Sequence, residues 1–425
     1  MLAPPAPNRA AEESTPHPGM GFREFVTIIA AMIATNALAI DAMLPVLPEI
    51  GAALGVSDAN QTQLVLTTYL LGFGFGQIFY GPLADRFGRR PVLLASLAFY
   101  VAFSVVAAVA TTQEQMLVAR ALQGVGAAAC RVLAVSIVRD CYSGRRMARV
   151  MSLSFIVFIA VPVIAPSIGQ LVILFAPWRW IFGFLALSGG GLALWAAMRL
   201  PETLPVGARL PLRASSILQA FRIVLTNRMS VGYTVASTLV LGGLFGFINQ
   251  AQQIFVGVFD LGAYFPLVFA GIALAVAASS FLNSRIVERL GMRFVSHAAL
   301  MGFTAVSTLH AVIALAELES LYIFVPLQAA MMFCFGLVIG NFGSLAMEPV
   351  GHVAGTASSA QGFLTTLGGA LLGFGIGQQY DGTVLPLMLG FCVLGFAAIG
   401  AVLVTERGRL FGSVNPPPVA GRRPD

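Results

Sequence analysis

This chain of 425 residues contains no lysine: all 24 of its basic residues are arginine. That absence excludes a Walker A phosphate loop, whose lysine reaches the β- and γ-phosphates. It also excludes Schiff-base chemistry, which needs an amine. ATP-driven pumping would therefore require a separate subunit. Charge of either sign is scarce, at 10% of residues against about 25% in an ordinary soluble domain. Cysteine and histidine number four each. Cys130, Cys141, Cys334 and Cys392 form no Cys-x-x-Cys pair and read as small packing residues. His17, His297, His310 and His352 are scattered and make no ligand set, so no metal is expected. No nucleophile–base pair can be recognised, which argues against an enzyme.

Apolar residues fill the space that charge leaves, at 58% of the chain. A globule of this length needs far more polar surface, so the composition implies an integral membrane protein. A spanning helix needs about 20 predominantly apolar residues. Twelve such runs can be placed, near 25–48, 60–81, 91–111, 115–138, 147–171, 178–199, 229–255, 264–286, 294–316, 321–345, 354–378 and 383–404. The expected fold class is all-α, with two six-helix bundles at 23–200 and 229–405. A polar linker at 201–228 joins them, and disordered tails at 1–22 and 406–425 flank them. The first 20 residues are Pro-rich and polar, so no cleavable signal is expected and the first apolar run should remain as a membrane helix.

The arginines set an expected orientation. All but Arg120, Arg131 and Arg179 fall in the tails, the linker or the loops after helices 2, 4 and 8. The opposite loops carry Asp58, Glu114, Asp260, Glu317, Glu319 and Asp381 instead. By the positive-inside rule both termini and the linker are cytoplasmic. The net charge of +6 thus reports topology rather than a nucleic-acid partner. The expected location is a bacterial inner (plasma) membrane, as a multi-pass chain.

One charged turn occurs twice. Asp85-Arg86-Phe87-Gly88-Arg89-Arg90-Pro91-Val92 aligns with Glu288-Arg289-Leu290-Gly291-Met292-Arg293-Phe294-Val295, 203 residues later. An offset close to half the chain suggests two membrane halves of similar plan.

Gly81-Pro-Leu-Ala-Asp85-Arg86-Phe-Gly88-Arg89-Arg90 resembles the loop between helices 2 and 3 of the major facilitator superfamily. Arg120-Ala-Leu-Gln123-Gly124-Val-Gly126 is similar to the helix 4 motif of its proton-antiporting drug exporters. Ala165-Pro166-Ser-Ile-Gly169-Gln170 resembles their antiporter motif, departing from it at Ala165 and Gln170, where the family pattern prefers Gly. Ile40-Asp41-Ala-Met-Leu44-Pro45, Trp178-Arg179-Trp180-Ile181-Phe182 and Ala354-Gly355-Thr356-Ala357-Ser358 resemble the bicyclomycin-resistance (Bcr/CflA) branch. The resemblance covers nearly all of residues 22–405. It implies alternating access between two bundles, with a proton gradient as the energy source and no cofactor.

Asp41 is the one acid well inside an apolar span. An ionisable group there costs at least about 2.5–3.5 kcal/mol and usually faces a cavity or a partner. Burial and a nearby cation pull a carboxylate's proton affinity in opposite directions, so its protonation is switchable. Asp41 lies about 24 Å along its helix from Phe25, and Arg120 about 28 Å along its own from Arg139. The matched depths suggest a pair; the other reading of Arg120 is a permanent anchor on backbone carbonyls. Arg131 lies only about 20° around the helix from Arg120 and about 16 Å further along, with Gln123 between them. It contacts substrate or pairs with an acid such as Asp140. Arg86, Arg89 and Arg90 are expected to pair with Asp140, and Asp85 to sit at the N-terminus of helix 11. With Gly81 and Gly88, these residues would form a cytoplasmic latch. Pro162 and Pro166, beside Gly169, are expected to kink helix 5 into a gate.

Export of a drug-like or amphipathic small molecule in exchange for protons is the function these features imply, in a monomer whose other partner is the lipid bilayer. Export of a native metabolite such as a sugar, amino acid or siderophore stays open, as does a non-transporting membrane sensor.

Overall fold

The structure, a computed structural model, describes residues 20–142, 144–209, 211 and 214–412. Helices account for nearly all of it, and there is no strand among the described residues. A chain this apolar has little choice, since inside lipid each backbone N–H and C=O must find its partner within the segment.

Six long helices make the first half: α1 (Phe22–Asp41), α2 (Leu64–Phe87), α3 (Arg89–Ala108), α4 (Gln113–Cys141), α5 (Gly144–Phe175) and α6 (Arg179–Arg199). Six more make the second: α7 (Arg228–Gln252), α8 (Phe265–Leu290), α9 (Met292–Leu315), α10 (Leu321–Met347), α11 (Ala354–Gly377) and α12 (Leu385–Thr405). Eleven of these helical segments are long and apolar enough to cross a membrane, and α5 carries a further apolar stretch at Ala160–Phe175. Between the halves, a short connector helix at Ala214–Thr226 packs on α11.

Polar caps mark several starts. Thr112 accepts the Gln115 N–H at the head of α4, and Asn227 accepts those of Met229 and Ser230 at the head of α7, satisfying donors that have no partner within the helix. The first span differs from its expected form. Rather than one helix over 25–48, α1 stops at Asp41, a short 3-10 turn at Leu44–Val46 follows, and a brief helix at Leu47–Ala53 continues. Pro45 and Pro48 lack the N–H that a continuous helix would need. In contrast, α5 runs through Pro162 and Pro166 as a single helix.

The two halves pack to one plan. α1 lies on α5, α2 on α4, α3 on α4 and α3 on α6; each pair recurs six helices later as α7–α11, α8–α10, α9–α10 and α9–α12. Across the interface α2 lies along α11, and α5 along α8. Lipid tails are as apolar as leucine, so close van der Waals approach drives this association. The α2–α4 contact shows the consequence: a Cβ on Gly124 would lie 2.1 Å from the Tyr69 carbonyl oxygen.

Candidate functional site

Asp41 is the last residue of α1, 4% exposed, at the point where the helix breaks. Gly169 of α5 packs against that break; a Cβ there would fall 2.0 Å from the Ala42 carbonyl oxygen. Among the described residues the Asp41 carboxylate has no ion pair and no hydrogen bond. Thr27, Ala31, Ala34 and Leu38 form an accessible stripe along α1, and Asp41 stands at its buried end. Spacings of three and four put all five on one face.

Arg120 of α4 is fully buried. Its Nε donates to the Val65 carbonyl at 3.1 Å and its second terminal nitrogen to the Ala39 carbonyl at 3.1 Å. The remaining terminal nitrogen donates to Gln123 Oε1 at 2.5 Å, and Gln123 Nε2 donates to Ser104 Oγ at 2.7 Å. The guanidinium carbon stands 4.3 Å from the centre of the Tyr69 ring, whose hydroxyl donates to Asn36 Oδ1 at 3.0 Å. Four helices, α1 to α4, are tied through this one side chain. The expected Asp41–Arg120 pair is not formed. The carbonyls of Ala39 near the end of α1 and Val65 early in α2, with Gln123 and the face of Tyr69, satisfy the cation in its place.

Arg131 lies on the Arg120 face of α4 but is exposed. The outward side of α4 is marked by Val118, which is 58% exposed and about 160° from Arg120 around the helix. Arg131 is therefore accessible on the inward side, as is Val135 one turn on. Asp140 is not its partner: that carboxylate accepts from Arg89 Nε at 2.9 Å and from the Thr203 hydroxyl at 3.2 Å.

Around the 81–94 loop, Arg89 is the hub. Its terminal nitrogen reaches Asp85 Oδ1 at 2.6 Å, and its side chain is only 4% exposed. Arg90 donates to the Ala197 carbonyl of α6, while Arg86 is exposed. Only Arg89 of the three expected arginines meets Asp140. Glu202 completes the cluster, accepting the backbone N–H groups of Arg89 at 2.9 Å and Arg90 at 3.2 Å. That is a carboxylate placed on the open N-terminus of α3. Gly88, at φ 102°, is required twice over: side chains avoid that conformation, and a Cβ would lie 2.4 Å from Glu202 Oε2. Among the described residues these ionic bonds join parts of the first half to one another and brace it. Asp85 serves Arg89; its expected contact with the start of α11 involves side chains at 351–356, outside the described residues. Gly81 does approach the second half, its Cβ position lying 2.9 Å from Ser359 Oγ in α11.

The halves join by hydrogen bonds at the opposite, acidic end. Asn60 Nδ2 donates to the carbonyls of Gln378 at 3.3 Å and Tyr380 at 3.0 Å, and Gln378 Nε2 returns a bond to the Asn60 carbonyl at 2.8 Å. Gln253 Nε2 donates to Asn60 Oδ1 at 3.1 Å, and its Oε1 accepts from Gln63 Nε2. Deeper in, Gln77 Nε2 donates to Thr366 Oγ1 at 3.1 Å. The accessible stripes of α1 and α4 thus run toward the arginine-rich end, and an amide clasp holds the acidic end together.

Comparison with known proteins assigns the arrangement. The family model described as Major Facilitator Superfamily matches residues 29–373. The chain belongs to the major facilitator superfamily. An MFS-type transporter, YdgK of Bacillus subtilis, is 31% identical over 86% of this chain and 90% of its own. A bicyclomycin resistance protein homolog of Haemophilus influenzae is 29% identical over 87% of this chain and 93% of its own. The multidrug resistance protein MdtL of Escherichia fergusonii is 31% identical over 82% and 86%. Among solved structures, the human organic anion transporter MFSD10 superposes with a TM-score of 0.68 at 18% identity, covering 90% of this chain and 99% of its own. The xylose transporter XylE of E. coli gives 0.65 at 12% identity, covering 90% and 96%. These two establish the shared fold.

Membership makes this a membrane transporter and not an enzyme, of the type with two six-helix halves. Within that fold the expected site residues divide into separate groups. Asp41 stands with Gly169; Arg120 stands with Gln123; Asp85, Arg89 and Asp140 stand together at the arginine-rich end; Arg131 stands alone. Three contributors escaped the sequence reading: Glu202, Ser104 and Asn36. Glu202 carried a usable signal, as an acid within an otherwise arginine-rich linker. Ser104 carried none, being one hydroxyl among many in apolar helices.

Proposed function

We propose that this chain is a secondary exporter of the bacterial inner membrane, trading an amphipathic, drug-like small molecule for protons by alternating access. Both termini lie in the cytoplasm, as the arginine distribution favours. It works as a monomer and needs no cofactor. The names of the bicyclomycin-resistance and multidrug-resistance relatives support the class of cargo.

The isolation of Asp41 carries the reading. A carboxylate buried without a cation or a hydrogen-bond donor is poorly held as an anion, and it sits at the end of an accessible stripe. It can take a proton when shut away and release it when water or a substrate's polar group arrives. Arg120 acts as a positioning residue: its bond to the Ala39 carbonyl, two residues before Asp41, fixes the end of α1.

The test is reconstitution into liposomes with an imposed pH gradient and a panel of amphipathic fluorescent dyes. Wild-type protein should accumulate dye against its gradient, and Asp41→Asn should abolish that accumulation. Undiminished accumulation by Asp41→Asn overturns the coupling role.

A further inference from the structure

We infer that Arg131 is a docking point for an acidic group of the transported molecule, so that the cargo class is amphipathic compounds bearing a carboxylate, phosphate or sulfonate. This rests on the transport reading above and adds the chemistry of one subsite.

Three formal charges sit deep in the spans: Asp41, Arg120 and Arg131. Arg120 is satisfied by carbonyls, an amide and an aromatic face, all of them neutral. The interior therefore carries a net positive charge even with Asp41 ionised. Arg131 shows no ion pair, hydrogen bond or ring contact among the described residues. Its nearest candidate acid in sequence, Asp140, is committed to Arg89 and Thr203. A guanidinium within a membrane span that has neither a counter-ion nor carbonyl partners needs water or a ligand to reach it. Its exposure on the inward side of α4 provides that access. Arginine's planar fork suits two-oxygen anions, which it binds through paired charge-assisted hydrogen bonds.

Accessible apolar groups suit an amphipathic partner: Val135 follows Arg131 on α4, and α1, which packs on α4, carries the partly accessible Ala31, Ala34 and Leu38. Arg131 lies about 12 Å nearer the arginine-rich end than Asp41, at 1.5 Å per residue. An acidic group held there orients the cargo while Asp41 remains free to exchange its proton.

The experiment measures equilibrium binding to purified full-length protein in detergent, without a gradient. The probes are dansyl-6-aminohexanoate, its neutral primary amide, and a dansyl alkylamine. Wild-type protein should bind the carboxylate about tenfold more tightly than the amide, a ratio in keeping with a charge-assisted pair. Arg131→Gln should bring that ratio to near one, and Arg131→Lys should restore most of it. Equal binding of the three probes, no binding of any, or a ratio untouched by Arg131→Gln overturns the subsite. A melting curve for each variant confirms its fold, and the lysine variant keeps the test decisive if the glutamine variant is unstable. Should the carboxylate preference hold while no compound accumulates in vesicles under a pH gradient, the export reading fails and the anion subsite stands.

Discussion

The turns at Gly88 and Gly291 share a backbone and differ in almost everything attached to it. Both glycines take a left-handed conformation, at φ 102°, ψ 158° and φ 83°, ψ 151°, between helices that pack equivalently in their halves. Beyond that, the first turn gathers Asp85, Asp140 and Glu202 around Arg89. In the second, Met292 occupies the Arg89 position, and the surviving ion pair is Arg293 with Glu406 at 2.8 Å. Glu406 also accepts the Tyr233 hydroxyl at 2.6 Å, and Tyr233 lies 3.0 Å from His297. His297 Nδ1 in turn accepts the Phe411 N–H at 3.1 Å. The first turn binds four helix ends into one block; the second ties α9 to α7 and the segment after α12. Turn geometry is thus a requirement of the repeated fold, while ionic content is particular to each half.

Arg89→Met, which gives the first turn the residue of the second, should have the largest effect. Removing the hub strands two carboxylates, for about 2–3 kcal/mol of stability. That is less than the ~3–5 kcal/mol of a fully buried pair, because Asp85 and Asp140 keep side-chain exposures of 29% and 15%. Thermal unfolding in detergent measures it, and an unchanged midpoint would remove Arg89 as the brace. Next comes Gly88→Ala against Gly291→Ala. Each forces a side chain into a conformation that costs about 1–3 kcal/mol. Only the first also meets a neighbour, since nothing lies within 4 Å of a Cβ at Gly291. The Gly88 variant should melt lower than the Gly291 variant, and the reverse order breaks the comparison. Smallest is Glu202→Gln, which keeps an acceptor at the head of α3 but loses its charge, for about 0.3–1 kcal/mol at low salt. That loss should shrink as salt is added; a salt-independent loss would point to packing instead.

Much of this molecule was legible in its sequence. Apolar runs of spanning length and the sidedness of the arginines reveal the membrane fold, because lipid imposes both on the chain directly. The burial of Asp41 followed from its place inside such a run. Arg120's partners did not, for a physical reason: its main acceptors are the carbonyls of Val65 and Ala39, and every residue carries a carbonyl. The choice between pairing with Asp41 and anchoring on the backbone depends on where α1 ends, and helix ends are the least determined part of a periodic pattern. The brace at Arg89 was half readable. Its carboxylate partner Asp140 follows from helix-end chemistry, whereas Glu202 reaches it only because the linker folds back beneath α3.

The clasp at the acidic end is built from bonds between uncharged groups: the amides of Asn60, Gln63, Gln253 and Gln378 and the carbonyls they meet. Neutral dipoles are not screened by dissolved ions as charge pairs are, and no net charge crosses the electric field when they separate. The seal on that side therefore holds equally in dilute and in salty surroundings, and opening it does no work against the membrane voltage. Any sensitivity to those conditions must enter elsewhere, through groups that carry a formal charge.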